Sequence, residues 1–137
     1  MKLKIREAQE SDFNFILSTW IKSSYSGLTG YRERQSVYHK GMDLFIKKQY
    51  DEGNIMAFVA CPEGDEDLIL GFAVFGTDYS LHYTAVKEAF KRQGICKSLL
   101  NHMYKGKKEI KVSFWTKDIA YIKRMYNVTY DRFKFFK

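Results

Sequence analysis

The run Lys91-Arg92-Gln93-Gly94-Ile95-Cys96-Lys97-Ser98 gathers three cations around a single glycine. An apolar, β-branched approach ends at Val86 before it, and Leu99 and Leu100 continue a helical spacing after it. A phosphate ligand needs hydrogen-bond donors and positive potential. A helix N-terminus supplies both, through its free N–H groups and the positive end of its dipole. A glycine just ahead of the first turn lets a ligand approach the backbone closely. Successive backbone N–H groups from Gln93 to Lys97 are therefore candidates to line a pyrophosphate. Lys91, Arg92 and Lys97 would add charge, and Ser98 lies at the end of the same turn. The plainer alternative is a basic turn ahead of a surface helix. The position directly after a strand favours the cradle.

The elements that must hold this run follow from hydrophobic period. "KLKIRE" alternates around Leu3 and Ile5 and predicts a first strand. Residues 11–24 carry Phe13, Ile16, Leu17, Trp20 and Ile21 at helical spacing, with Ser11 or Asp12 as cap. "YSGLTGY" breaks that helix. Residues 32–54 predict a second one through Val37, Tyr38, Met42, Phe45 and Ile46, with Gly53 as its stop. The period then changes. "IMAFVAC" and "LILGFAVFG" flank the acidic turn "PEGDED" and predict an antiparallel hairpin, and "YSLHYTAV" adds a third strand in series. The basic run opens a helix that ends near "KGKK". "IKVSFW" is a further strand, "TKDIAYIKRMY" a short helix, and "YDRFKFF" a final strand. The order β-α-α-β-β-β-α-β-α-β predicts an α/β (α+β) fold with a mixed sheet flanked by helices. Its strand–cradle–helix–strand step is a right-handed parallel crossover.

Composition narrows the class. The chain has 137 residues, 45% hydrophobic and 17% aromatic, which suits one globular domain over residues 1–137. No apolar run approaches the roughly 20 residues of a membrane span. The opening "MKLKIREAQESDF" is not that of a signal peptide. A cytoplasmic location is expected. Cys61 and Cys96 make no disulfide framework, and His39, His82 and His102 are scattered, so no metal site is expected. Residues after Val86 hold 14 basic and 4 acidic side chains, against 9 and 12 up to it. That asymmetry points to a polyanionic partner, either nucleic acid or a phosphate-rich cofactor.

The element order and the basic run resemble the GNAT acetyltransferase superfamily. Its hallmark is Arg/Gln-x-x-Gly-x-Gly/Ala, placed about five residues after a valine that ends the central strand. Val86 stands five residues before Lys91, and "KRQGIC" fills the hallmark, with Lys91 and Cys96 departing from its first and last positions. The likeness extends to "IREAQESDFNFI" and "ILGFAVF". The compact form and the ending "YNVTYDRF" are similar to short GNAT-like proteins of phage genomes. The resemblance implies that acetyl-CoA is the cofactor. Val86 would lie against its pantetheine arm, and the amides of Gln93 to Lys97 would hold its pyrophosphate. The valine strand and "IKVSFW" would splay apart around it. It also implies transfer of an acetyl group to an amine by direct attack on the thioester.

That chemistry needs a proton donor for the thiolate and a base for the amine. By the same resemblance Tyr126 is the donor, preceded by Met125 at an apolar position, whereas Tyr121 would point elsewhere. Alternation puts His82 and Tyr83 on opposite faces of the central strand, which makes His82 a candidate base. Cys96 is expected to be a small packing residue facing the cofactor, with covalent catalysis by a thiol at a helix N-terminus as the alternative. The acceptor would be a small-molecule or protein amine. Only one short strand is available after Tyr126, so a homodimer through an edge at "RFKFF" is considered beside a monomer. Two alternatives stand beside the enzyme: an inactive GNAT-like binding protein, and a nucleic-acid binder using the interleaved aromatics and cations of "RMYNVTYDRFKFF".

Overall fold

The computed structural model describes residues 2–26, 35–114 and 118–131. Strand β1 spans Leu3–Glu7, and a short 3-10 turn at Glu10–Asp12 leads into helix α1, Phe13–Ser26. Helix α2 spans Gln35–Asp51. Strands β2 (Ile55–Pro62), β3 (Gly71–Gly76) and β4 (Leu81–Val86) follow, then a 3-10 turn at Glu88–Phe90. Helix α3 (Ile95–Tyr104), strand β5 (Glu109–Val112), helix α4 (Asp118–Ile122) and strand β6 (Asn127–Tyr130) are the remaining elements of the described residues. One six-stranded sheet runs β1-β2-β3-β4-β5-β6. Its first four strands are antiparallel, and β4–β5 and β5–β6 are parallel.

The start of α1 is held by charge. The Asp12 carboxylate accepts the Gln9 N–H at 2.7 Å and both Arg6 guanidinium nitrogens at 2.7 and 3.2 Å. Burial pushes the Asp12 carboxyl up, but the Arg6 fork and the Gln9 amide outweigh it and hold it below its ordinary value. Helix α2 ends in a Schellman motif. Gly53 has φ +76°, its N–H reaches Tyr50 O at 3.0 Å, and Asn54 N–H reaches Gln49 O at 2.9 Å.

The helices divide between the two faces. Ile16, Leu17, Trp20 and Ile21 of α1 and Ile46 of α2 bury against Ala57, Val59, Phe72, Val74 and Tyr83. On the other face Ile95, Leu99, Leu100 and Tyr104 of α3 and Ile119 and Ile122 of α4 meet Ala73, Phe75, Leu81, Ile110 and Val112. Helices α3 and α4 share this face, as two successive parallel crossovers of the usual right hand would place them. Each buried leucine or isoleucine contributes roughly 2 kcal/mol, so both layers are well anchored.

Two boundaries differ from the sequence reading. The last strand among the described residues is Asn127–Tyr130, which begins three residues earlier than expected because its partner is the parallel β5, with Asn127 opposite Glu109 and Tyr130 opposite Val112. Residues 132–137, and with them the edge "RFKFF", lie outside the described residues. Of the helix read at 116–126, the described part is Asp118–Ile122, and Lys123 to Tyr126 turn back toward β6. The glycines of "YSGLTGY" also lie outside the described residues.

Two irregularities prepare the site. Among the described residues, strands β4 and β5 pair only through Leu81 and Val112, with Ser113 N–H donating to Leu81 O at 3.0 Å, and they part beyond that point. On its other side β4 pairs Tyr83 with Val74 but Leu81 with Phe75. His82 is thereby the extra residue of a β-bulge, a feature that re-aims side chains.

Candidate active site

The divergence of β4 and β5 opens a cleft of about 210 Å³ on the α3/α4 side. Thr84, Ala85 and Val86 form one wall, and Tyr121 of α4 contributes another. The end is closed by Phe90, Lys91, Arg92, Gly94, Ile95 and Cys96. Of the residues singled out in the sequence, the cleft therefore collects Val86, Lys91, Arg92, Gly94, Ile95 and Cys96. Gln93, Lys97 and Ser98 belong to the same turn but do not line it.

The backbone of the cradle is specific. Gly94 adopts φ +80°, ψ +11° and is followed at once by the helical residues of α3. A left-handed residue ahead of helical ones turns successive N–H groups inward, a nest for an anion. No side chain caps the helix, and its first hydrogen bond is Ser98 N–H to Gly94 O at 3.0 Å. The Ser98 amide is thus spent within α3, and the preceding turn of the backbone faces outward. Arg92 is also left-handed, at φ +67°, a conformation that costs a non-glycine residue about 1 kcal/mol or more. Lys91 Nζ sits 3.0 Å from the Glu88 carboxylate. Cations and a helix N-terminus at the end of a slot walled by Val86, Ala85 and Phe90 fit a ligand with a pyrophosphate and a less polar arm.

A glycine unremarked in the sequence shapes the floor. A Cβ on Gly71 would stand 2.8 Å from Ala85 O and 3.2 Å from side-chain carbons of Ile95 and Val86. Only glycine lets β3 back this closely onto the strand and helix that form the cleft.

The two tyrosines occupy different places. Tyr126 is 7% exposed and does not line the cleft. Its hydroxyl donates to Asn101 Oδ1 at 2.6 Å, and its ring meets Tyr104 edge-on at 5.8 Å. Burial, with a smaller contribution from the Cys96 thiol, raises its phenol above the ordinary value. Cys96 is half-buried between the cleft and this tyrosine. Tyr121 points elsewhere than Tyr126, as expected, and it is the one that stands in the cleft wall, 42% exposed.

His82 lies on the opposite face. Gly76 pairs with Ile55, whose side chain belongs to the α1/α2 layer, and a Cβ on Gly76 would lie 2.8 Å from His82 Nε2. The His82 ring is therefore on that layer's side of the sheet. Tyr83 is there too, stacked on Trp20 at 5.9 Å. The expected alternation of His82 and Tyr83 fails because the bulge inserts one residue. His82 Nδ1 meets Ser113 Oγ at 2.7 Å, which ties β4 to β5 at the apex of their divergence. The ring is 4% exposed, and burial lowers its pKa to about 4, against a small opposing pull from Asp78. Ser113 and Asp78 were not singled out by sequence. Nothing in a serine 31 positions away marks it as a histidine's partner.

Among the described residues no helix is long and apolar enough to cross a membrane, and no three His, Cys, Asp or Glu side chains converge on a metal-sized site. The sequence pattern of the Acetyltransferase (GNAT) family matches residues 10–119. No curated protein matches the sequence. Among solved structures, a Pyrococcus furiosus protein superposes with a TM-score of 0.67 at 18% identity, over 93% of this chain and 95% of that one. A Clostridium acetobutylicum protein solved with acetyl-CoA gives 0.56 at 9% identity, over 95% and 80%. PaiA N-acetyltransferase of Thermoplasma acidophilum, in complex with coenzyme A, gives 0.53 at 19% identity, over 77% and 71%. At these identities the structural likenesses concern the fold.

Proposed function

The chain belongs to the acetyltransferase (GNAT) family, and from that premise we propose that it carries an acetyl group from acetyl-CoA to an amine by direct attack on the thioester. The observation that carries the reading is the slot between β4 and β5, which ends on the nest before α3. The amides from Gln93 to Lys97, with Lys91, Arg92 and Lys97, would hold the pyrophosphate. Val86 would flank the pantetheine arm. The acetyl-bearing end would then lie toward the apex at Leu81 and Val112. The acceptor, a small-molecule or protein amine, would approach from the α1/α2 face, where His82 lies.

In this reading the amine nitrogen bonds to the carbonyl carbon, the C–S bond breaks, and the sulfur takes a proton. Tyr126 is the proposed donor. A phenol is protonated at neutral pH, and Tyr126 packs on the α3/α4 side next to Cys96 of the cleft, the side on which the thiolate would leave. Tyr126→Phe should lower kcat about 10- to 100-fold while acetyl-CoA affinity, measured by calorimetry, is kept. A second reading is favoured by the place of Tyr121 in the cleft wall. A large kcat loss in Tyr121→Phe with Tyr126→Phe active would transfer the role. The primary test is calorimetric: no heat with millimolar acetyl-CoA would remove the enzyme reading. Binding without turnover across amines, peptides and polyamines would favour an inactive binding protein. The Lys91–Glu88 pair is the observation on that side, since it engages a cradle cation.

A further inference from the structure

His82 is buried and cannot meet a substrate directly, yet its Nδ1 is tied to a hydroxyl that can. Ser113 is half-buried and is the first residue of the β5 chain beyond its one pair with β4. Ile110 and Val112 face the α3/α4 layer, so alternation turns Ser113 to the opposite face, the side on which the His82 ring lies. The other ring nitrogen is equally constrained. A Cβ on Gly76 would meet both His82 Nε2 at 2.8 Å and Asp78 Oδ1 at 2.9 Å, so these two atoms share the space above one glycine. Asp78 is itself fixed, accepting Ser80 N–H at 3.1 Å, and is open to solvent. A hydroxyl, an imidazole and a carboxylate thus run in line across β5, β4 and the β3–β4 turn, at the point where the sheet splits.

We propose that Ser113 is the acceptor-side catalytic residue, its hydroxyl relaying the proton of the attacking amine to His82 Nδ1, with Asp78 and Gly76 acting as positioning residues for the ring. The inference rests on the acetyl-transfer reading above. As the C–N bond forms, the amine N–H bond breaks and its proton goes to Ser113 Oγ. The proton already on Ser113 passes to Nδ1. The ring gives its Nε2 proton toward Asp78 and so to water, while the departing sulfur takes a separate proton on the other face. Burial keeps the ring neutral at pH 7, so the Nδ1 lone pair is available. The same weak basicity makes the ring a conduit instead of a proton store.

The test uses the full chain labelled with 15N-histidine. Nitrogen chemical shifts at neutral pH should show His82 as the Nε2-protonated tautomer, with Nδ1 accepting a hydrogen bond that Ser113→Ala removes. Protonation at Nδ1 in the wild type would overturn the relay, because Ser113 would then be the acceptor. That result needs no known acceptor and stands apart from the calorimetry. Failure to bind acetyl-CoA removes the enzyme reading, whereas binding with the wrong tautomer removes the relay alone. With any amine that turns over, Ser113→Ala should lower kcat about 100-fold, keep acetyl-CoA affinity within about twofold, and be largely rescued by Ser113→Thr. An unchanged kcat in Ser113→Ala would also sink the proposal.

Discussion

Glu88 and His82 each make a measurable claim about single residues. Lys91 is the cation at the head of the cradle, and Glu88 holds it 3.0 Å away with a carboxylate that is 89% exposed. An exposed pair of this kind is worth at most about 1 kcal/mol, so a phosphate can displace it. Glu88→Gln should leave the melting temperature nearly unchanged and tighten acetyl-CoA binding about two- to fivefold by calorimetry. Equal or weaker binding would mean that Lys91 does not reach the ligand. His82 has a folded pKa of about 4, below its unfolded value near 6.5. The unfolded chain therefore binds the extra proton, and stability falls as pH drops from about 6.5 to 4, by about 3 kcal/mol in all. Chemical denaturation across that range should show the slope, and His82→Gln should flatten it. Asp12, held low by Arg6, acts in a separate window below its ordinary value and should keep its effect in that variant.

Elements were more legible than residues. The change from helical to strand period near Ile55 is local, and so is the spacing from Val86 to Lys91, so the order of strands and helices could be read directly. The aromatic and basic alternation of "YDRFKFF" gave no sign of the strand Asn127–Tyr130, which is chosen by parallel pairing with residues nearly 20 positions earlier. The bulge at His82 arises from the β3 register, and the Ser113 partnership from the split between β4 and β5. Neither leaves a mark in residue type. The floor glycine was silent for the same reason, and it separates two kinds of glycine in the cleft. Gly71→Ala must push Ala85 backbone, at roughly 1–3 kcal/mol of stability, and should weaken acetyl-CoA binding through Val86 and Ile95. Gly94→Ala meets no protein atom within 4 Å, so its cost to the stability of the free chain is only the left-handed backbone, about 1 kcal/mol, whereas its Cβ would face the ligand. Comparing denaturation midpoints and calorimetric affinities of the two variants checks the distinction; equal losses would contradict it.

At the scale of the whole molecule, charge and architecture point in different directions. Basic side chains crowd the C-terminal part of the sequence, including Lys105, Lys107 and Lys108 in the turn between α3 and β5. Lys107 already lies over the Tyr79 ring at 4.2 Å, and Asn127 N–H binds Lys108 O at 2.7 Å, so this end of the sheet is structured independently of the cleft. The cleft opens among the α3 and α4 elements, and the His82–Ser113 pair opens among those of α1 and α2. The sheet stands between them as a septum, perforated where β4 and β5 part. In the proposed reading a donor seated on one side would not block the door used by the acceptor on the other. The kinetic consequence is a sequential order of addition: double-reciprocal plots should intersect, and coenzyme A should compete with acetyl-CoA but not with the amine. Parallel lines would instead mean a ping-pong route, in which the acetyl group is first carried on the protein and coenzyme A leaves before the amine reacts.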